Sequence, residues 1–284
     1  MDGHRPDALL AAADLPSMTP YARILDVRYA LGRSDGHAQY LAGHVPGAVY
    51  VDLDTELADP VGDGSRGRHP LPDPERFVVA MRRSGVTREQ TVVVYDDWQG
   101  AAATRAWWLL TYFGHPDVRV LDGGWKGYLA TGGPVDAGEV LPAPGDFVGT
   151  PGHLPVVDAE GAERLAREGL LVDVRAPERF RGEIEPLDPV AGHIPGAVNV
   201  PFVEANLETG EGRPTSFRSR DDLRAFYERA GVRADGEVGV YCGSGVTATH
   251  TVFALRRTGV TAVLYPGSWS EWVTDRTRPV ATGA

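Results

Sequence analysis

The sequence is nearly without cysteine: Cys242 is the only one in 284 residues. A single thiol excludes an intramolecular disulfide, a cysteine-cluster zinc site and an iron–sulfur cluster held by the chain's own thiolates. It suits a reducing compartment. Basic charge is also short, with 28 Lys and Arg against 39 Asp and Glu and a formal net charge of −11. That excess opposes binding to nucleic acid or to anionic membranes, and an anionic substrate would need local arginines. No apolar run approaches the roughly 18 residues of a membrane span. The start, Met1-Asp2-Gly3-His4-Arg5-Pro6, has no basic segment leading into a signal-type apolar core. A cytoplasmic protein with no membrane partner is expected.

What is present is an ordinary globular composition, 42% hydrophobic and 24% charged, in a chain long enough for two domains. An internal repeat organises it. Ile24-Leu25-Asp26-Val27-Arg28 and Gly43-His44-Val45-Pro46-Gly47-Ala48-Val49 return as Leu171-Val172-Asp173-Val174-Arg175 and Gly192-His193-Ile194-Pro195-Gly196-Ala197-Val198. Further on, Val92-Val93-Val94-Tyr95 matches Val238-Gly239-Val240-Tyr241, and Asp122-Gly123-Gly124-Trp125 matches Pro266-Gly267-Ser268-Trp269. A near-constant offset of this length means duplicated domains rather than solenoid units of about 20 to 50 residues.

Within each half, short β-branched runs alternate with helix-like stretches such as 101–112 and 247–257. This βαβ pattern predicts a mostly parallel sheet with helices on both faces. The Pro- and Gly-rich stretch 137–152 has little periodicity, so the expected division is a domain at 1–140, a linker at 141–152 and a domain at 153–284.

Cys242 sits where the apolar run 238–241 meets the loop Gly243-Ser244-Gly245-Val246 and then the helix-like stretch from Thr247. The carboxyl end of a strand is where open α/β sheets place ligands, and a following helix start favours the thiolate, the nucleophilic form. The repeat makes the cysteine asymmetric, because its counterpart is Asp96, which cannot perform thiolate chemistry. The covalent step therefore belongs to the second half. The first half keeps polar residues that the second lacks: Asp54 lies opposite Val203, and His69 opposite about Thr215. Either could face the active cleft, although the pattern alone favours Asp54 as a helix N-cap or turn residue and His69, beside Pro70, as a surface loop histidine. His44 and His193 precede Pro-Gly in both halves, the inert one included, so a structural role is expected for both. Core packing is expected for Trp125, while Trp269 could pack or touch the site.

These motifs resemble the two-domain rhodanese-like sulfurtransferases, and within them the 3-mercaptopyruvate type, over nearly the whole chain. The most specific piece is Cys242-Gly243-Ser244-Gly245-Val246-Thr247-Ala248, supported by Asp173-Val174-Arg175, Arg179-Phe180-Arg181-Gly182 and Gly192-His193-Ile194-Pro195-Gly196. The resemblance implies two rhodanese domains, the first inactive, with the active site in the cleft between them. It implies sulfur moving from a small-molecule donor onto Cys242 as a persulfide, without a cofactor or metal, and on to cyanide or a thiol acceptor such as a thioredoxin-like protein or a small thiol. It also implies a Ser244-His69-Asp54 set, Arg179 on the substrate carboxylate, and the loop of Gly243, Gly245, Val246 and Thr247 around the sulfur. Thr247 could fix the loop through its hydroxyl or simply begin the helix.

The chain departs from the family's arginine pattern. A second arginine expected about nine residues after Arg179 is missing, and Glu185-Pro186-Leu187-Asp188 occupies the region. Either Arg181 completes the carboxylate clamp or the clamp has a single arm. A cysteine-dependent phosphatase fails because the phosphate-clamping arginine six residues on would fall at Ala248. Thiosulfate:cyanide sulfur transfer is the nearer alternative, although the neutral Gly243-Ser244 pair helps little with a dianion. A non-enzymatic persulfide carrier is the third reading.

Overall fold

A computed structural model describes residues 7–29, 31–210, 214–233 and 235–283. The described residues of Met1–Leu57, Asp73–His153 and Thr209–Ser216 form one compact unit, and those of Ala58–Pro72, Leu154–Glu208 and Phe217–Ala284 form the other. Two segments thus cross the sequence halves. Residues 58–72, in the first half, belong to the second unit.

In the first unit, strands β1 (Leu9–Leu10), β2 (Arg23–Asp26), β3 (Val49–Tyr50), β4 (Val92–Tyr95) and β5 (Val118–Leu121) form one sheet in the order β1-β5-β4-β2-β3. All its pairs are parallel. In the second unit, β6 (Leu170–Asp173), β7 (Val198–Asn199), β8 (Val238–Tyr241) and β9 (Val263–Leu264) repeat that order as β9-β8-β6-β7, again all parallel. A lone parallel bridge from Val156 to Leu264 stands where β1 pairs in the first unit. Every residue of β4 and of β8 is buried. Successive strand residues point to opposite faces, so both faces of each sheet are covered, as parallel sheets require.

Parallel neighbours need a crossover, and helices Ala101–Tyr112 and Thr247–Arg257 supply equivalent ones between β4 and β5 and between β8 and β9. Both are buried along most of their length, and Arg256 and Arg257 place positive charge at the second helix's C-terminal end. Helix Pro74–Arg83 opens with proline at its first turn and with the Asp73 carboxylate accepting from the N–H groups of Glu75 and Arg76. Segment 141–152, read from sequence as a linker, holds neither helix nor strand. It lies along the first unit through hydrogen bonds from Gly145 to Arg82, Phe147 to Val86 and Thr150 to Phe113, with Phe147 buried. No helix among the described residues is long and apolar enough to cross a membrane.

A buried ion pair repeats with the fold. Asp26 and Arg28 at the end of β2 pair at 2.7 Å, and so do Asp173 and Arg175 at the end of β6. Each arginine also donates to a backbone carbonyl, of Gly43 or Gly192, and lies 4.8 Å over a tryptophan ring, Trp125 or Trp269. Removing one partner of such a buried pair costs roughly 3–5 kcal/mol, because the other charge is left uncompensated. In the second unit Leu171 of this pair's strand is buried in a core with Leu165, Phe180, Ile194, Tyr241, Tyr265, Trp269 and Trp272.

Candidate active site

Strand β8 ends at Tyr241, so Cys242 begins a loop at the carboxyl end of a central strand. The thiol is 1% exposed. Its Sγ accepts from the N–H of Gly245 at 3.1 Å and of Ser244 at 3.5 Å. Gly245 achieves this with φ +78°, and a Cβ built there would lie 2.2 Å from the Pro266 carbonyl oxygen, so a side chain is excluded on both counts. Helix Ser268–Trp272 fastens the loop from outside: Trp269 N–H donates to Cys242 O at 3.0 Å, and Ser270 N–H to Gly243 O at 2.9 Å. Thr247 is the first residue of helix Thr247–Arg257, preceded by Val246 as its cap.

Ser268 is a site residue that the sequence reading missed. Its Oγ accepts the Cys242 N–H at 3.1 Å, lies 3.0 Å from the Tyr265 carbonyl and stands 3.9 Å from Sγ. Its φ is +54°, the value Gly124 takes at the matched position of the first half. A left-handed residue other than glycine costs about 1–2 kcal/mol, and strain of this kind gathers at functional sites. The signal in the sequence was a serine where the repeat has glycine.

The first half shows what this loop is shaped to hold. Asp96 occupies the cysteine position, and its carboxylate accepts four backbone N–H bonds, from Trp98, Gly100, Ala102 and Ala103, at 2.8–2.9 Å. Complete burial pushes its pKa up, and those four donors hold the rise back. The same strand–loop–helix turn therefore cradles an anion. In the first half its own side chain fills the cradle.

The segment 58–72 brings two more groups to the second unit's loop. His69 Nδ1 lies 2.7 Å from Ser244 Oγ, and both residues are almost fully buried. Arg68 N–H donates to Ser270 Oγ at 3.0 Å. Gly67, at φ +81°, passes so near that a Cβ would stand 2.6 Å from Gly267 O. Cys242, Ser244 and His69 are thus brought together. Asp54 belongs to the other unit, exposed on the short helix Leu53–Glu56, whose capping carboxylate is that of Asp52.

The arginines are engaged by carboxylates of the chain itself. Arg179, expected to face a substrate carboxylate, donates to Glu185 at 3.1 and 2.6 Å and reaches Asp188 at 3.4 Å. Glu185 also receives Arg175 at 3.3 Å. Arg181, weighed as the second arm of a clamp, instead pairs outward with Glu183 at 2.7 and 2.9 Å. The arginine that does approach is Arg68, which donates through Nη1 to Asp188 Oδ1. A Cβ on Gly243 would lie 3.0 Å from Arg68 Nη2 and 3.5 Å from both Arg179 Nη1 and Nη2, so the two guanidiniums converge beside the cysteine. Burial pushes the Asp188 carboxyl up, with neighbouring Glu185 adding to the rise and the arginines opposing it.

The remaining aromatic and histidine expectations fall on structural contacts. His44 Nδ1 lies 2.9 Å from Tyr40 O and stacks on Tyr40; His193 Nδ1 lies 2.7 Å from Phe180 O and stacks on Phe180. Trp125 packs against the first core. Trp269 is buried, its ring N–H donating to Val190 O at 2.9 Å, and its backbone N–H donates to Cys242 O.

Comparison with known proteins agrees with this architecture. The model of the rhodanese-like domain matches residues 6–131 and again 158–275. The putative thiosulfate sulfurtransferase SseB of Mycobacterium tuberculosis is 45% identical over 98% of both chains. The probable 3-mercaptopyruvate sulfurtransferase of Pseudomonas aeruginosa is 46% identical over 93% of both. The crystal structure of the 3-mercaptopyruvate sulfotransferase SseA of Escherichia coli superposes with a TM-score of 0.80 at 34% identity, covering 93% of this chain and 99% of that one. With two matched domains, the repeated parallel sheets and a cysteine cradled at the end of a central strand, the chain belongs to the rhodanese family as a tandem of two rhodanese-like domains.

Proposed function

We propose that this sulfurtransferase takes sulfur from 3-mercaptopyruvate, carries it as a persulfide on Cys242, and passes it to a thiol or cyanide acceptor, with pyruvate released. The observation that carries the reading is the 2.7 Å contact of His69 Nδ1 with Ser244 Oγ, next to a thiol whose Sγ faces two backbone N–H donors. A nucleophile, a hydroxyl and a base in one buried cluster form an activated-nucleophile arrangement.

In the first step the Cys242 thiolate attacks the donor's sulfur, the carbon–sulfur bond breaks, and its electron pair leaves on pyruvate as the enolate. The enolate takes a proton and pyruvate departs, leaving the terminal sulfur on Cys242. Ser244, oriented by His69, supplies the hydroxyl through which that proton moves. The N–H groups of Ser244 and Gly245 stabilise negative charge on the resting sulfur, and the rest of the loop through Val246 and Thr247 receives the second sulfur. Each such charge-assisted bond is worth roughly 1.5–3 kcal/mol. Arg179 binds the donor's carboxylate. The cysteine itself carries the sulfur, so the cycle calls for no cofactor or metal. The first half, with Asp96 filling its loop, serves as an inactive partner domain. The compartment proposed for a small-molecule donor and a small or thioredoxin-like thiol acceptor is the cytoplasm.

Thiosulfate as donor is the second reading, favoured by the name of the mycobacterial relative and by the two guanidiniums beside Gly243. Steady-state kinetics with both donors, on wild type, Cys242→Ser and Ser244→Ala, decide between them. The expected result is turnover of 3-mercaptopyruvate, abolished in Cys242→Ser and reduced in Ser244→Ala. Full turnover by Cys242→Ser would sink the mechanism. Turnover of thiosulfate alone would move the donor assignment.

A further inference from the structure

We infer that Arg68 is the second arm of the anion-binding pair beside Cys242, and that Asp188 is the chain's own occupant of the position a donor carboxylate must take. This rests on the reading of the donor as a carboxylate and deepens it by naming what selects it.

Arg68 comes from the segment that also carries His69, so one tripeptide, Gly67-Arg68-His69, delivers both a base to Ser244 and a guanidinium to the cysteine loop. Its Nη2 comes as near to the Gly243 position as the Nη atoms of Arg179 do. Its Nε is a buried donor with no acceptor among the described residues, so its fork has unspent capacity. The Asp188 carboxylate spans the two guanidiniums, one oxygen on Arg68 and the other 3.4 Å from Arg179. A carboxylate shared by two arginines shows the geometry that an incoming carboxylate would reproduce.

The charges are balanced without substrate. Arg68, Arg175 and Arg179 face Asp173, Glu185 and Asp188, and the last two carboxylates are nearly inaccessible. Glu185 is anchored by Arg175 and Arg179, whereas Asp188 is the carboxylate that bridges Arg68 and Arg179, directly on the first and at 3.4 Å from the second. An anion that binds between Arg68 and Arg179 must displace Asp188, and not Glu185, which leaves the Arg175 contact in place. A monoanion gains two guanidiniums when it displaces that side chain, while a neutral reagent gains nothing from them. The pair thus selects for negative charge at the mouth of the cysteine loop, and Asp188 sets how strongly.

The single cysteine makes the test specific, because alkylation mass reports Cys242 alone. Rates are measured with iodoacetate and with iodoacetamide, in each of which the thiolate bonds to the methylene carbon as the carbon–iodine bond breaks and iodide leaves, and expressed as their ratio. The ratio removes changes in thiol reactivity common to both reagents. Arg68→Met should lower the iodoacetate preference by roughly tenfold, the loss of one charge-assisted contact, and Arg68→Lys should restore part of it. Asp188→Asn should raise it by a similar factor. In parallel, Arg68→Met should raise KM for 3-mercaptopyruvate more than it lowers kcat. Ratios unchanged within twofold in both Arg68→Met and Asp188→Asn overturn the inference. If the ratios move but wild type does not turn over 3-mercaptopyruvate, the anion pair stands and the donor assignment falls.

Discussion

Replacing Gly245 by alanine isolates the contribution of the loop to the thiolate. Gly245 has φ +78°, which costs an alanine about 1–2 kcal/mol, and its new Cβ would meet the Pro266 carbonyl oxygen at 2.2 Å. That oxygen belongs to the backbone that leads into Ser268, so the clash is not relieved by turning a side chain. The loop must move, and what moves is the N–H that reaches Sγ at 3.1 Å. Losing one hydrogen bond to a charged group, roughly 1.5–3 kcal/mol, corresponds to a rate loss of about ten- to 150-fold. Two measurements read it: the rate of Cys242 alkylation by iodoacetamide at pH 7, and kcat/KM with the sulfur donor. Both should fall by tenfold or more in Gly245→Ala while circular dichroism keeps the parallel-sheet signature. Rates within twofold of wild type in a folded variant would show that the N–H cradle does not stabilise the sulfur.

Gly67→Ala acts at a distance in sequence on the same chemistry: its Cβ would press on Gly267 O at 2.6 Å, lifting Arg68 and His69 from the loop. Turnover should fall at least tenfold, and a fully active variant would separate that segment from catalysis. In the first unit, burial holds the pKa of His115 below its ordinary value. The unfolded chain then takes up the proton first as pH falls. The stability due to neutral His115 is present above about pH 6.5 and is lost as pH drops toward the depressed folded value, at no more than about 1.4 kcal/mol per pH unit. Urea midpoints from pH 5 to 8 should fall less steeply toward acid in His115→Gln than in wild type, and parallel profiles would count against it.

The sequence by itself determined the features that depend on local pattern and on the repeat. Valine-rich runs such as 92–95 and 238–240 read as buried strands, and the helices that follow read as crossovers, because hydrophobic periodicity is local. The contrast of Cys242 with Asp96 singled out the cysteine loop without any geometry. Only the tertiary structure decided which distant residues meet it. Segment 58–72 folds with the second unit, so His69 reaches Ser244, and Arg68, never singled out from the sequence, arrives beside Gly243. Arg179 could be named from its motif but not its occupation by Glu185 and Asp188, since ion pairing depends on where side chains converge in space. Ser268 was hidden for a related reason. Its left-handed backbone and its bond to the Cys242 N–H come from packing one strand end against another, which residue order does not record.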